Sequence, residues 1–131
     1  MTQRLELYKC SVCGNLVQVI LEGQGELVCC GEPMKLLKPQ KDDENKTEKH
    51  VPVFIKDESG NEIIAVGSIP HPMEENHYIM FIEAISKDKN KLELRYLYPG
   101  EDAKFLLKDA EAILSALEYC NLHGLWEGKR D

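Results

Sequence analysis

Four of the five cysteines lie within the first 30 residues, as Cys10-x-x-Cys13 and the adjacent pair Cys29-Cys30. Two thiolates three residues apart on a turn chelate one ion readily, and a second close pair completes a set of four sulfur ligands. Residues 1–37 otherwise hold too little apolar material for an independent core. Leu5, Leu7 and the run from Leu16 to Leu21 are strand-like, and Gly14, Gly23, Gly25 and Gly31 supply turns between short segments. A metal is therefore expected to hold this unit together. Tetrahedral sulfur sites accept zinc as well as iron, and the adjacent cysteines should strain one S–metal–S angle, which is unusual for a purely structural zinc site.

Five is an odd number of cysteines, and clustered thiols in a reducing cytosol read as metal ligands rather than disulfides. The start, Met1-Thr2-Gln3-Arg4-Leu5-Glu6, lacks the apolar stretch of a secretory signal, and no segment is apolar enough over a sufficient length to span a bilayer. The expected compartment is the cytoplasm, with no membrane partner. The chain has 131 residues and a formal net charge of −7. That balance argues against a nucleic-acid surface, which needs a concentrated basic face.

Residues 38–47, Lys-Pro-Gln-Lys-Asp-Asp-Glu-Asn-Lys-Thr, contain no large apolar side chain and read as a solvated linker. In the domain that follows, residues 48–131, short β-rich segments recur at 51–55, 63–66, 78–85 and 92–98. Turn signals such as Asp57-Glu58-Ser59-Gly60-Asn61 and Lys87-Asp88-Lys89-Asn90 separate them. Regularly spaced short strands predict an antiparallel sandwich. Residues 102–119 read differently: Leu106, Ala110, Ile113 or Leu114, and Leu117 recur at helical spacing, and the local composition predicts a helix.

All four histidines of the protein, His50, His71, His77 and His123, fall in loop-like or strand-edge settings, and the last lies three residues after Cys120, the one spare cysteine. A single histidine is usually a surface or satisfied core residue, but four of four beside a lone thiol point to one site. A cysteine nucleophile with a histidine base would need a third group to orient the histidine and would leave three imidazoles unused. Four nitrogens and one sulfur exceed the four ligands zinc normally takes. Iron accepts five and keeps one octahedral position open for a small ligand.

These motifs carry a resemblance. Tyr8-Lys9-Cys10-Ser11-Val12-Cys13-Gly14-Asn15 and Leu27-Val28-Cys29-Cys30-Gly31-Glu32-Pro33-Met34 are similar to desulforedoxin. Glu48-Lys49-His50-Val51-Pro52, Pro70-His71-Pro72-Met73-Glu74-Glu75 with His77, and Tyr119-Cys120-Asn121-Leu122-His123-Gly124 are similar to the neelaredoxin domain. Together the chain resembles desulfoferrodoxin, the two-iron class of superoxide reductases, over nearly its whole length.

The resemblance implies an all-β chain, with a small metal-stabilised desulforedoxin-like domain followed by an immunoglobulin-like antiparallel β-sandwich. It implies one iron held by Cys10, Cys13, Cys29 and Cys30, and a second held in a plane by His50, His71, His77 and His123 with Cys120 axial. Superoxide would bind opposite Cys120 and be reduced to hydrogen peroxide. Lys49 would attract the anion and position a proton-donating water, and Glu48 would close the sixth position in the oxidised state. A homodimer and a small electron-donor protein such as rubredoxin are also implied. In that fold, residues 103–107 and 113–120 are strands leading to Cys120, against the helical reading. The alternatives are a rubredoxin-like electron carrier with a structural second metal site, and a zinc-only binding module.

Overall fold

The computed structural model describes residues 1–42, 49–67, 71–108 and 112–130. The chain divides into two compact units, Met1–Lys38 and Pro39–Asp131.

In the N-terminal unit, β1 (Leu7–Lys9) lies between β2 (Leu16–Gln18) and β5 (Lys35–Leu37), antiparallel to both. Strands β3 (Val28–Cys29) and β4 (Glu32–Pro33) form a separate hairpin. Burial is sparse. Thr2, Leu7, Cys10 and Val19 are the buried side chains here, while Val12, Ile20, Leu21 and Val28 stay exposed, Leu21 to 80%. So little apolar surface leaves water that the strands need another source of cohesion.

The C-terminal unit is an immunoglobulin-like sandwich of two antiparallel sheets. Its strands are β6 (Pro52–Lys56), β7 (Glu62–Val66), β8 (Ile79–Ser86), β9 (Leu92–Tyr96), β10 (Lys104–Leu106), β11 (Ile113–Cys120) and β12 (Gly124–Lys129). One sheet has the order β10-β7-β6 and the other β12-β11-β8-β9. Ile64 and Val66 of the first meet Ile79, Ile82, Ala84, Ala116 and Cys120 of the second in one core cluster, which Leu97, Phe105, Leu107 and Ile113 complete. Where β12 crosses β6, a Cβ on Gly128 would stand 2.0 Å from the Pro52 carbonyl oxygen, so only glycine admits this approach.

The turns predicted at 57–61 and 87–90 are closed by their own aspartates. Asp57 Oδ1 accepts the amides of Ser59 and Asn61, and Asp88 Oδ1 accepts the amide of Asn90 and the Ser86 hydroxyl. At both aspartates these hydrogen bonds hold the carboxyl below its ordinary pKa, led by the Asn61 amide at Asp57 and the Ser86 hydroxyl at Asp88.

The helix predicted over 102–119 is not formed. Its described residues make β10 and β11 instead, and residues 109–111 lie outside the described ones. The reason is the place of β11 in its sheet. It pairs with β8 on one side and β12 on the other and is covered on both faces, so Ile113, Ala116, Leu117, Tyr119 and Cys120 are all buried. A strand buried on both faces has no polar alternation, and its apolar residues then fall at spacings that a helix would also show.

The stretch expected to be a linker is described from Lys38 to Asp42. Within it, Gln40 pairs in parallel with Trp126 at the edge of β12.

Candidate metal centres

The four-cysteine group is built from two turns. Cys10, Cys13 and Gly14 share one: the Gly14 amide donates to the Cys10 carbonyl at 3.0 Å, the Cys10 amide donates to the Asn15 carbonyl at 2.9 Å, and Gly14 takes φ +85°. Cys30 and Gly31 are the two loop residues of the β3–β4 hairpin, with φ +54° and +77°. A two-residue hairpin of that kind favours Asn-Gly, because both positions are left-handed. A cysteine there costs on the order of 1 kcal/mol of backbone strain, which a ligand bond can offset.

The sulfurs converge, with Cys13 Sγ 3.6 Å from Cys29 Sγ and Cys29 Sγ 4.0 Å from Cys30 Sγ; all four lie within 4.8 Å of one another. Four sulfurs about 2.3 Å from one ion at tetrahedral angles lie about 3.8 Å apart, so the group fits a tetrahedral metal. The protonation pattern agrees. The Cys13 amide, donating to Cys10 Sγ at 3.4 Å, lowers the Cys10 thiol to about 6. The Cys13 thiol raises Cys29 and, more strongly, pushes Cys30 up to about 12. Four thiols this close resist ionising together unless a cation takes up their charge.

The second group gathers side chains from three parts of the C-terminal unit. His50 precedes β6, His71 and His77 lie between β7 and β8, and Cys120 and His123 flank the β11–β12 turn. Their ligand atoms lie within 4.8 Å of one another. Cys120 pairs with Gly124, so Asn121, Leu122 and His123 form a three-residue hairpin loop, and Gly124 takes φ +85°. This is the loop type that closes with a left-handed glycine, and it turns His123 back toward the thiol.

The imidazoles form a ring in the order His50, His71, His77, His123. Neighbouring ring centroids are 4.6, 4.8, 5.2 and 4.7 Å apart around it, each pair edge-on. His71 Nε2 is 3.0 Å from His50 Nε2, which is 3.1 Å from His123 Nδ1. Two nitrogens about 2.1 Å from one ion and at right angles to each other lie about 3.0 Å apart, so these spacings are those of neighbouring corners in a square of ligands. Cys120 Sγ stands 3.6 Å from His71 Nε2 and 3.7 Å from His123 Nδ1, which occupy opposite corners. It therefore stands almost equally far from two opposite corners of the square. Cys120 is fully buried in the core cluster, and His50 and His71 are buried too, whereas His123 is exposed.

Neighbouring groups orient these ligands. His71 Nδ1 lies 2.8 Å from the Pro72 carbonyl, which fixes its proton on Nδ1 and turns the Nε2 lone pair inward. Trp126 stacks on His50, with centroids 4.8 Å apart and 14° between planes. Asn121 ties the two histidine loops together: its Oδ1 accepts the Tyr78 amide at 2.9 Å and its Nδ2 donates to the Asn76 carbonyl at 3.0 Å. Sequence reasoning missed Trp126 and Asn121 as supports. Their positions beside Cys120 and His123 in one hairpin were the available signal.

All nine proposed ligands thus fall into the two predicted groups. Lys49 is half-buried and immediately precedes His50, and Glu48 lies outside the described residues.

Comparison with known proteins agrees with this geometry. Residues 42–129 match the family described as Desulfoferrodoxin, and residues 2–37 match Desulfoferrodoxin, N-terminal domain. A desulfoferrodoxin homolog from Archaeoglobus fulgidus is 48% identical, covering 97% of this chain and 98% of that protein. A desulfoferrodoxin from Syntrophotalea carbinolica is 47% identical, covering 98% and 99%. The crystal structure of the superoxide reductase from Treponema pallidum superimposes with a TM-score of 0.72 at 26% identity, covering 98% of this chain and 100% of that one. With two converging ligand groups, and with family matches that together span residues 2–37 and 42–129, the chain belongs to the desulfoferrodoxin family, whose domains imply iron sites.

Proposed function

We propose that the chain is a superoxide reductase: superoxide, one electron and two protons give hydrogen peroxide at the five-donor centre. The observation that carries this is the square of four imidazoles with a thiolate beneath it. Five protein donors leave one octahedral position for a small anion, and zinc, which has no redox chemistry, would make little use of such a set. Ferrous iron, when bound there, supplies the single electron.

The chain's own residues do the rest. The buried setting of Cys120 keeps water from its sulfur and sets the thiolate on the core side, so the small ligand is left the opposite side. The net charge of −7 repels an incoming anion, so a local cation has to steer it, and Lys49 beside His50 is the residue assigned that role. Glu48, next in the chain, is assigned the closing of the open position once product has left.

The donor sets support a two-iron composition: one iron at Cys10, Cys13, Cys29 and Cys30, and one at His50, His71, His77, His123 and Cys120. We assign the first to a desulforedoxin-like domain of residues 1–37 and the second to a catalytic domain of residues 48–131. A small electron-donor protein such as rubredoxin would restore the electron. Exposed apolar side chains on the N-terminal unit, Ile20 and Leu21 among them, support a homodimer. The reduced thiols that both centres need fit a cytoplasmic location.

The test is stoichiometric. Reduced, iron-loaded protein mixed with superoxide should yield one peroxide per superoxide consumed and no dioxygen. Half that peroxide, accompanied by dioxygen, would mean dismutation. Superoxide left unreacted would favour an electron carrier.

A further inference from the structure

The five ligands are not equally held. Cys120, His50 and His71 are buried, His77 is half-buried, and His123 is the one exposed member. Packing fixes a buried imidazole in place, but an exposed ring on a hairpin loop keeps its position only as well as the loop backbone that carries it is held. Two side chains pin it. Trp126 Nε1 donates to the His123 carbonyl at 3.1 Å, and Gln40 Nε2 donates to the same oxygen at 2.9 Å.

The Gln40 carboxamide also reaches the Leu125 carbonyl at 3.3 Å. Only its nitrogen can face two carbonyl oxygens, so its orientation is fixed by its partners. The backbone of Gln40 is itself anchored to the free edge of β12: its amide donates to the Leu125 carbonyl at 3.0 Å, and its carbonyl accepts the Glu127 amide at 2.9 Å. Trp126 is buried, and its indole, stacked on His50, spans two neighbouring corners of the square. The His123 carbonyl thus receives two N–H donors, from positions 40 and 126, which are 83 and 3 residues away.

We infer that Trp126 and Gln40 are positioning residues of the five-donor centre, which hold its exposed ligand His123 through that residue's backbone carbonyl. Neither touches substrate. The inference rests on His123 being a metal ligand, as proposed above, and extends that reading to what keeps the ligand in place.

Metal release tests it independently of any reaction with superoxide. The fully loaded protein is mixed with excess chelator, and loss from the five-donor centre is timed against loss from the four-cysteine centre of the same molecule, which serves as the internal standard. Trp126→Phe keeps a ring on His50 and removes one donor; Gln40→Met keeps the backbone pairing and removes the other; Gln40→Lys keeps N–H donors at that position. Loss of an outer hydrogen bond to a ligand typically weakens metal binding about 10- to 100-fold. Trp126→Phe is expected to speed release from the five-donor centre about tenfold, the double variant with Gln40→Met more, and Gln40→Lys far less than Gln40→Met. The ratio to the internal standard should change in the same order; because a loss of sandwich stability alone would also change it, the retained slow release of Gln40→Lys beside Gln40→Met is what assigns the effect to the N–H donor. Parental release rates in both single variants and in the double variant would overturn the inference, as would equal acceleration by Gln40→Met and Gln40→Lys. A parent protein holding no metal at the five-donor centre would overturn the ligand assignment and the inference together.

Discussion

Cys10-Ser11-Val12-Cys13-Gly14 and Cys120-Asn121-Leu122-His123-Gly124 are the same device in two settings. Each places two ligands three residues apart on a tight loop and ends in a glycine with φ +85°. The first belongs to a unit with four buried side chains, and two of the four cysteines of its group, Cys13 and Cys30, are exposed. The second sits on the rim of a sandwich whose core already buries Cys120 completely. The loop therefore sets the spacing of the donors, while the surroundings decide what the metal is for. In the small unit a bound metal would supply cohesion; in the sandwich the core supplies it, and the site can keep a position open.

The largest expected effect separates the two units. Structural zinc in zinc-finger peptides contributes about 10–16 kcal/mol to folding, and a metal in the four-cysteine group would act in the same way. Stripping the four-cysteine centre should unfold the N-terminal unit and leave the sandwich folded. Hydrogen exchange would show protection lost at β1, β2 and β5 and retained at β8 and β11; protection retained in both would break the contrast.

Cys120→Ser comes next. It should abolish the thiolate-to-iron charge-transfer absorption of the oxidised five-donor centre and leave the four-cysteine spectrum unchanged, and persistence of the band would refute axial ligation by Cys120.

Glycine substitutions sharpen the comparison further. Gly128→Ala should cost the sandwich about 1–3 kcal/mol or more in denaturant unfolding, because a Cβ would collide with the Pro52 carbonyl at 2.0 Å. Gly14→Ala meets nothing within 4 Å and Gly124→Ala only Gln40 Nε2 at 3.5 Å, an ordinary contact, so each imposes mainly left-handed strain of about 1 kcal/mol. Equal costs at Gly14 and Gly124 would show that the two loops are energetically alike.

Lys49→Ala should have the smallest effect, a severalfold slower reaction with superoxide that is most evident at low ionic strength, with both iron spectra intact. An unchanged rate at low salt would remove Lys49 from the reaction.

The ligand sets were legible in the sequence because metal chelation constrains residue type and spacing together. Cys10-x-x-Cys13, Cys29-Cys30 and Cys120-x-x-His123 each form one turn, so local sequence carries most of their geometry. The cyclic order of the four histidines was not legible, since it depends on how β7, β8 and β11 bring distant loops to one rim. The strand β11 was misread by periodicity for a related reason: burial on both faces erases the alternation by which strands are recognised. Nor could local reading find Gln40 or the distant partners of Asn121, although Asn121 and Trp126 share a hairpin with Cys120 and His123. Gln40 lies 83 residues from the carbonyl it meets, and Asn121 lies 43 residues from the Tyr78 amide it accepts.

The central claim is that superoxide is reduced at the five-donor centre and not at the four-cysteine one. It is tested most directly by mixing fully reduced protein with superoxide and following the absorption of both centres through a single turnover. The five-donor centre should oxidise first, at a rate proportional to superoxide concentration, with the four-cysteine centre still reduced when peroxide has formed. Oxidation of the four-cysteine centre first, with the five-donor centre unchanged, would contradict it.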